Sequence, residues 1–429
     1  MGLIMTIDIL KMFIFALMGG YATFLANRTI AVYHDGLRPI MPDFISGKVD
    51  HKEMLGISFA ISIGFITGFA MPITMATGII VVHIILLTSD IIGVSVKHPV
   101  VAVALGALWG GVVPPLLDTI IAVFGMLPVN FLDALASVGD PIVAAFVVFP
   151  AITVAYQFGR KKGILTFVVS FFARVAVEFV NPVFIAGNEV FLSAEGIAML
   201  CGMICLIAFA AMDKTRGADL GESLFAENVA RIKGNIKYLI PMGAIISIAA
   251  NYQWIAGEPI AAAVLAKGDV ASAAIVAFVQ AIAFLPLVIT TALVSGVYAT
   301  NGWCDWLEGF GYIAPNPLAA GILGGVAMGF EVLSLDKIGS FLNRFPALKM
   351  SGDNIRTSMT MILEVALLVG GINAGSQIWG GTGIFMVVGL YILNEVLGRP
   401  VIKMAAAPLA AIVVGVLANI AAVIGVLPL

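Results

Sequence analysis

The chain has 429 residues, of which 61% are hydrophobic and 11% are charged, and its formal net charge is −3. Soluble domains carry roughly 25% charged residues, so this composition excludes a soluble enzyme, a disordered chain and a secreted disulfide scaffold. The absence of a basic excess also excludes a nucleic-acid binder. A polytopic membrane protein remains. Its apolar runs are long and uninterrupted, which predicts spanning helices rather than a strand barrel.

Twelve apolar segments are each close to the roughly 20 residues that a spanning helix needs. They are 4–26, 55–73, 77–94, 99–125, 141–159, 163–185, 195–212, 238–256, 317–335, 358–377, 381–397 and 404–427. The stretch 270–300 is too long for one ordinary span and is interrupted by Pro286, so we expect a re-entrant hairpin or two tilted short spans there. The predicted fold class is an all-α polytopic membrane protein with about 12 transmembrane helices plus this hairpin.

The placement of lysine and arginine predicts the orientation of the chain. If the loops that hold 19 of the 22 basic residues are cytoplasmic, both termini are periplasmic. The opposite loops 126–140, 186–194, 301–316 and 378–380 contain no lysine or arginine. This arrangement requires segment 270–300 to enter and leave the membrane on the same side.

The longest cytoplasmic loop divides the chain near its middle. We expect an N-terminal membrane half (1–212), a linker loop (213–237) and a C-terminal membrane half (238–429). Secondary transporters are often built from two such halves, with broken helices that meet at the midplane. The glycine-rich runs 104–111 and 320–325 suggest inverted repeats, although similar composition alone would also explain them.

Arg174 and Glu178 stand four residues apart in the predicted span 163–185, on one face of the helix. A charge in the middle of a bilayer is costly, so each residue needs a partner or a wet cavity. Two interpretations stay open. The residues form an ion pair within the helix, or Arg174 faces a cavity and binds an anionic substrate with Glu178 beside it.

Three acidic residues are further candidates. Glu364 lies about six residues into its span, and no basic residue deeper in that helix can reach it. It must find a partner on another helix, bind a cation or stay protonated, which makes it a candidate for ion coupling. Glu331 is a second coupling candidate, or it snorkels to the nearby surface. Asp90, near a helix end, is a candidate for substrate binding.

The proposed hairpin carries the hydroxyls of Thr290, Thr291 and Ser295 beside its proline break. Carbonyls released at such a break, together with these hydroxyls, would bind substrate or ions. The alternative is ordinary hydroxyl-to-backbone bonding within a helix.

Two polar clusters lie outside the spans. His34, Asp35 and Arg38 surround a glycine turn in the first cytoplasmic loop, where they form a gate or brace a rigid loop by salt bridges. Asn394 and Glu395 stand at the end of a predicted helix, and Arg399 follows Glu395 by four residues. Helix-stop chemistry and an ion pair account for most of this second cluster.

No resident cofactor, metal site or enzymatic activity is predicted. The sequence has no Walker A motif and no familiar hydrolase motif. None of the four histidines pairs with another at metal-ligand spacing, and Cys201, Cys205 and Cys304 are no disulfide framework. Na⁺ or H⁺ enters the prediction as a coupling ion alone.

The sequence resembles the YhfT family of bacterial inner-membrane proteins along essentially its whole length. The resemblance is carried by 31–42, 89–94, 149–150, 156–159, 289–293, 296–298, 314–317, 352–356, 363–370, 393–395 and 397–400. It implies a multipass protein of the inner membrane, treated as a transporter, with no settled substrate and no defined catalytic residues. Family members tend to be encoded near pyridoxal-phosphate-type and phosphotriesterase-like enzymes. That association points towards a small amino- or phosphate-bearing compound.

The resulting hypothesis is a secondary transporter, a symporter that moves a small anionic or zwitterionic organic solute with H⁺ or Na⁺. Arg174 would attract the negative group, and Glu364 and Glu331 would take the coupling ion. The alternatives are a membrane subunit of a larger permease-like complex and an intramembrane enzyme that acts on a lipid. The expected partners are a small-molecule substrate and the lipid bilayer, with no nucleic acid, and a homodimer stays open.

Overall fold

The computed structural model describes residues 8–33, 50–185, 188–190, 192–213, 222–299, 303–343 and 345–427. Within these residues the protein is mostly helical, with three short two-stranded pairings. The elements in chain order are α1 (Ile9–Asn27), β1 (Ala31–Val32), α2 (His51–Phe65), α3 (Met71–Thr77), β2 (Ile80–Val81), α4 (His83–Ser95), α5 (Pro99–Phe124), α6 (Leu132–Ala136), α7 (Gly139–Phe146), α8 (Phe149–Phe158), α9 (Arg160–Val180), β3 (Val183–Ile185), β4 (Asn188–Val190), α10 (Ala194–Met212), α11 (Glu222–Gly234), α12 (Ile236–Asn251), β5 (Ile255–Ala256), α13 (Pro259–Ala266), α14 (Val270–Ser295), β6 (Tyr298–Ala299), α15 (Trp303–Ile313), α16 (Pro317–Asn343), α17 (Pro346–Val396) and α18 (Lys403–Val423). A π-helical turn, Ile66–Ala70, joins α2 to α3.

Long apolar helices confirm the prediction of an all-α multipass membrane protein. Seven of the described helices are long and apolar enough to cross a bilayer, and the bent pair Leu132–Phe146 and Phe149–Phe158 would make an eighth. Large apolar side chains point outward from these helices. On α9, for example, Phe171, Phe172 and Phe179 are each more than half exposed. Such a surface is stable against lipid rather than water.

The segment 270–300 does not turn at Pro286, and this part of the prediction is wrong. α14 continues as one helix to Ser295 and ends where Gly296 takes a left-handed conformation (φ 65°). The chain then runs back along α14, so that the ring of Phe278 lies 5.1 Å from that of Trp306 on α15. A proline inside a helix removes one backbone hydrogen bond, whereas glycine readily adopts the positive φ that reverses the chain. The reversal therefore follows Pro286 by several turns and pairs α14 with β6 and α15.

α17 consists of two antiparallel arms that meet at Trp379 and Gly380, both of which have non-helical backbone angles. Gly375 and Gly383 pack backbone against backbone across this break. Eight residues of straight helix would separate them by about 12 Å, so the chain must reverse between them. The reversal coincides with the loop 378–380 expected from the sequence.

Four extended segments interrupt the helices and pair with one another. β1 pairs in parallel with β6, with Ala31 opposite Tyr298, and β2 pairs in parallel with β5, with Ile80 opposite Ile255. Each pairing joins a segment from the first half of the chain to one from the second. Buried backbone N–H and C=O groups need partners, and these pairings supply them where the helices are broken. A third pair, β3 with β4, is an antiparallel hairpin between α9 and α10.

In the first half of the chain, α1 is fastened to α4 by side-chain hydrogen bonds to backbone carbonyls. Thr23 Oγ1 donates to the Ser89 carbonyl at 3.2 Å. Asn27 Nδ2 donates to the carbonyls of Gly93 and Val96 at 2.9 and 2.7 Å. These last carbonyls belong to the end of α4, where helical partners run out. Asn27 therefore caps the C-terminus of α4.

The second half contains the same arrangement between α12 and α15. Ser247 Oγ donates to the Leu307 carbonyl at 2.6 Å, in the role of Thr23. Asn251 Nδ2 donates to the carbonyls of Gly311 and Ala314 at 2.9 and 2.7 Å, in the role of Asn27. The cap on α15 is thus built from the same residue type on the equivalent helix.

Constant displacements along the chain relate the two arrangements. Asn251 stands 224 residues after Asn27, and the carbonyls that it caps stand 218 residues after those capped by Asn27. The displacement of 224 also relates Thr29 to Gln253, which both have positive φ, at 52° and 59°. Positive φ is uncommon for residues with a side chain, so its recurrence is strong evidence of one structural unit present twice.

Glycines let the helices of each unit approach closely. A Cβ atom at Gly106 of α5 would fall 2.7 Å from the Gly19 carbonyl oxygen of α1, and one at Gly324 of α16 would overlap Ser247 of α12. Small residues at such contacts are typical of helix packing in membranes. The glycine-rich runs noted in the sequence thus lie at equivalent helix contacts.

We predict that Gly106→Ala and Gly324→Ala each lower the free energy of unfolding by about 1–3 kcal/mol, because the added methyl groups force the helices apart. The matched control is Gly389→Ala in α17, where nothing lies within 4 Å of an added Cβ. Its stability should be unchanged or slightly higher, since alanine favours helix over glycine. Thermal unfolding in detergent, followed by size-exclusion chromatography, measures all three. Equal melting temperatures would contradict the close packing.

Candidate functional site

Two carboxylates occupy equivalent positions beside the paired strands. Asp90 Oδ2 accepts the backbone N–H of Tyr33, just after β1, at 2.6 Å. Glu308 Oε2 accepts the N–H of Gly257, just after β5, at 2.7 Å. Glu308 stands 218 residues after Asp90, and Gly257 stands 224 after Tyr33, which are the displacements of the repeat. Each half of the chain therefore uses a buried acid to hold the end of an extended segment.

A cluster of aromatic and imidazole rings packs beside Tyr33. The Tyr33 hydroxyl lies 3.4 Å from Nδ1 of His83, the first residue of α4. The His83 ring packs against those of Phe65 and Phe69, at 6.0 and 4.9 Å between centroids. A small cleft beside Asp90 and Tyr33 has room for about one water molecule. Polar groups and free space thus converge at the end of β1.

A second acid lies next to Glu308. A Cβ atom at Gly257 would lie 3.2 Å from Glu308 Oε2 and closer still to Asp305 Oδ1. The two carboxylates therefore flank the same backbone atom, and only glycine leaves room for both. Cys304 Sγ donates to the other oxygen of Glu308, at 3.4 Å. Glu258, the next residue after Gly257, is also buried.

The buried charge of the described residues is acidic throughout. Among these residues no lysine or arginine is buried, whereas five carboxylates are: Asp90, Glu258, Asp305, Glu308 and Glu331. Desolvation of charged groups is costly unless they are paired or bind a cation. Carboxylates are therefore the main buried ionisable groups in the part of the chain that the structure describes.

Glu331 of α16 is separate from the Asp90 and Glu308 hydrogen bonds. It is 1% exposed, and neither carboxylate oxygen has a hydrogen-bond partner among the described residues. Its electrostatic neighbour is the Tyr298 hydroxyl on β6. The snorkelling alternative raised by the sequence is therefore wrong, because Glu331 does not reach the surface.

Arg174 lies in an ion-pair network away from the strand pairs. It contacts Glu178 on its own helix α9 at 2.8 Å and Glu195 on α10 at 3.1 Å. Its side chain and that of Glu178 are 40% and 49% exposed. The within-helix ion pair that the sequence allowed is therefore formed.

The remaining described candidates make structural contacts. Lys403 Nζ, at the start of α18, donates to Glu364 Oε2 at 2.7 Å, so Glu364 has the partner on another helix that the sequence allowed. Glu395 pairs with Arg399 at 2.9 Å. The side chain of Asn394 exchanges hydrogen bonds with the backbone of Val401 at 2.8 and 2.9 Å. These contacts fasten both arms of α17 to the chain entering α18.

The other predicted residues cannot be placed around this site. Thr290, Thr291 and Ser295 lie on α14, but the structure describes only their backbone. Their expected position beside a proline break is wrong, since the chain stays helical there. His34, Asp35 and Arg38 lie outside the described residues.

The fold and these contacts define a multipass α-helical membrane protein that contains one unit twice, with a buried acid at the equivalent position of each copy. The chain belongs to the YhfT family, whose model, described as a protein of unknown function, matches residues 11–427. It is 36% identical over 429 aligned positions to "Uncharacterized protein YhfT" of Escherichia coli (strain K12), covering 96% of this chain and 97% of that protein. No solved structure matches the chain.

Sequence reasoning missed Glu308, because α15 was assigned to a periplasmic loop. A signal was present. Asp90 is followed by Gly93 and Pro99, and Glu308 is followed at the same spacing by Gly311 and Pro317. The glycine permits the approach of the preceding helix, and the proline starts the next one. The shared spacing of acid, glycine and proline would have identified Asp90 and Glu308 as equivalent residues.

We predict that Asp90→Asn and Glu308→Gln fold like the wild type, because an amide oxygen still accepts the N–H of Tyr33 or Gly257. Asp90→Leu and Glu308→Leu leave that buried N–H without a partner and should lower the free energy of unfolding by about 1–3 kcal/mol. Thermal unfolding in detergent compares each leucine variant with its amide control. Leucine variants as stable as the amide variants would show that these hydrogen bonds do not hold the segments.

Proposed function

We propose that the protein is a secondary transporter of the bacterial inner membrane, whose solute site lies between the two strand pairs. The observation that carries the proposal is the pair of buried acids, Asp90 and Glu308, at equivalent positions of a repeated unit. Broken helices that meet between two repeats are the usual site of substrate and ion binding in secondary transporters. Intramembrane ionisable residues are most often functional for the same reason.

The two halves would be inverted relative to each other. In this arrangement the first half would cross the membrane at α1, α2–α3, β2–α4, α5, α6–α8, α9 and α10, and the second at α12, α14, β6–α15, α16, the two arms of α17, and α18. Seven crossings per half place equivalent elements on opposite sides of the membrane. Pairing α14 with β6–α15 also keeps both ends of segment 270–313 on one side, as the distribution of basic residues requires. Both termini are then periplasmic and α11 is cytoplasmic.

The charge of the interior narrows the class of solute. Of the anionic and zwitterionic solutes expected from the sequence, a zwitterion fits better, because its amino group can pair with Asp90 or Glu308. The family resemblance pointed to amino- or phosphate-bearing compounds, and the acidic surroundings favour the amino-bearing class. H⁺ or Na⁺ would provide the driving force, as carboxylates bind both.

A thermal-shift screen of the purified protein tests this class of solute. A compound that binds only the folded state increases the free energy of unfolding by mass action, by about 2.7 kcal/mol at 100 times Kd, and so raises the melting temperature. We expect amino acids or related zwitterions to raise the melting temperature of the wild type but not that of Asp90→Asn or Glu308→Gln. Arg174→Gln is the control and should keep the shift.

Two outcomes would contradict the proposal. The first is an organic anion that raises the melting temperature of the wild type but not that of Arg174→Gln. This result would place the solute site at Arg174 of α9. A soluble protein or a lipid that stabilises the chain, with no effect of any small solute, would favour a complex subunit or a lipid enzyme.

Cysteine labelling tests the inverted halves. Lys97 and Pro315 are both exposed and are equivalent, because they precede Pro99 of α5 and Pro317 of α16 by the same two residues. In a variant without native cysteines, we expect Lys97→Cys to react with an impermeant maleimide only from the cytoplasm. Pro315→Cys should react only from the periplasm. Labelling of both positions from one side would contradict an inverted repeat.

A further inference from the structure

Glu331 and Tyr298 form a buried polar pair that the solute site does not use. Glu331 lies on α16 and is 1% exposed, and Tyr298 lies on β6 and is fully buried. Neither carboxylate oxygen of Glu331, nor the Tyr298 hydroxyl, has a hydrogen-bond partner among the described residues. The two groups interact with each other. A carboxylate so enclosed needs compensation for its charge.

The neighbouring elements offer no described positive charge to Glu331. Cys304, on α15, interacts electrostatically with Tyr298. The other charged neighbours of Cys304 are the acids Asp305 and Glu308. Lys233 of α11 is held by Asp336, further along α16, at 3.1 Å. α14 contains no ionisable residue, and on α12 the ammonium of Lys237 lies over the Tyr238 ring, 5.0 Å from its centroid. No ion pair with Glu331 is present in the described part of the chain.

A bound cation must therefore compensate the charge of Glu331. The number of oxygen atoms around it decides between a metal ion and a proton. Hard metal cations take several oxygen ligands. Among the described residues no group of three or more histidine, cysteine or acidic side chains is arranged to hold a metal ion. A proton needs only one acceptor oxygen, which Glu331 supplies without any other group.

We propose that Glu331 is a proton-binding site, with the Tyr298 hydroxyl as the polar group beside it. The backbone N–H of Tyr298 donates to the Ile30 carbonyl at 3.0 Å, next to its pairing with β1. Loss of the proton would leave a negative charge beside the β1–β6 pair and favour its rearrangement. That use as the coupling site rests on the proposed transport function, whereas proton binding itself does not.

Infrared spectroscopy of the purified, full-length protein tests the proposal without any solute. A protonated carboxyl group has a C=O stretching band that an ionised one lacks. We expect the wild type to show such a band at neutral pH and to lose it in a titration to higher pH. Glu331→Gln should lack this band. Glu364→Gln is the matched control and should keep it, because Glu364 is paired with Lys403.

Tyr298→Phe provides a second variant that retains the carboxyl group. Its band should shift in frequency, and its titration midpoint should move by about one pH unit, a tenfold change in proton affinity. If Glu331→Gln does not fold, the changes in band frequency and titration midpoint of Tyr298→Phe still test the assignment to Glu331. An unchanged band and midpoint in Tyr298→Phe would then overturn the assignment.

Two other results would also overturn the proposal. One is a folded Glu331→Gln variant whose spectrum matches that of the wild type. The other is loss of the wild-type band on adding Na⁺ at constant pH, with no titration in its absence, which would make the ligand a metal cation. Because the solute screen is separate, a proton site without zwitterion binding would remove the transport proposal and leave this one intact.

Discussion

The structure depends on how backbone hydrogen bonds are satisfied where the helices are broken. A bilayer offers no water to an exposed N–H or C=O group, so each break must find its partners inside the protein. β1 and β5 find them in β6 and β2, and the amides that follow them find Asp90 and Glu308. The architecture thus requires a buried side-chain oxygen at each of these positions, and the two acids supply it. Their burial follows from that requirement, and it gives the interior the negative character on which the proposed solute class rests.

The two copies of the unit have diverged in charge while keeping their contacts. Thr23 and Asn27 have the counterparts Ser247 and Asn251, which make the same hydrogen bonds. Leu87, however, stands where the second copy has Asp305, and Val113 stands where it has Glu331. Residues that hold the helices together were retained, and those that carry extra acid are confined to one copy. This pattern fits a transporter in which the acids shared by both copies bind the solute and an acid of the second copy binds the coupling ion.

Composition and the distribution of basic residues were sufficient to predict helices that span a membrane and the reversal at 378–380. They could not predict the chain between 270 and 313, because a short strand followed by an eleven-residue helix has no hydropathy signal of its own. Isolated charges were also misleading. Arg174 and Glu364 look costly in sequence, yet each meets its counter-charge on a neighbouring helix, and partners on other helices are invisible in a single chain. Glu308 could be found only by aligning the second half of the chain with the first.

The strand pairs also set an order of assembly. β1 is made near the start of synthesis, but its partner β6 lies in the second half, at Tyr298–Ala299. Until those residues emerge, the N-terminal half carries two unpaired edges inside the membrane, and the C-terminal half would carry two of its own if it were made alone. The halves are therefore obligate partners in biogenesis. The backbone groups at the breaks of the first half can therefore be paired in full only after the second half has been translated.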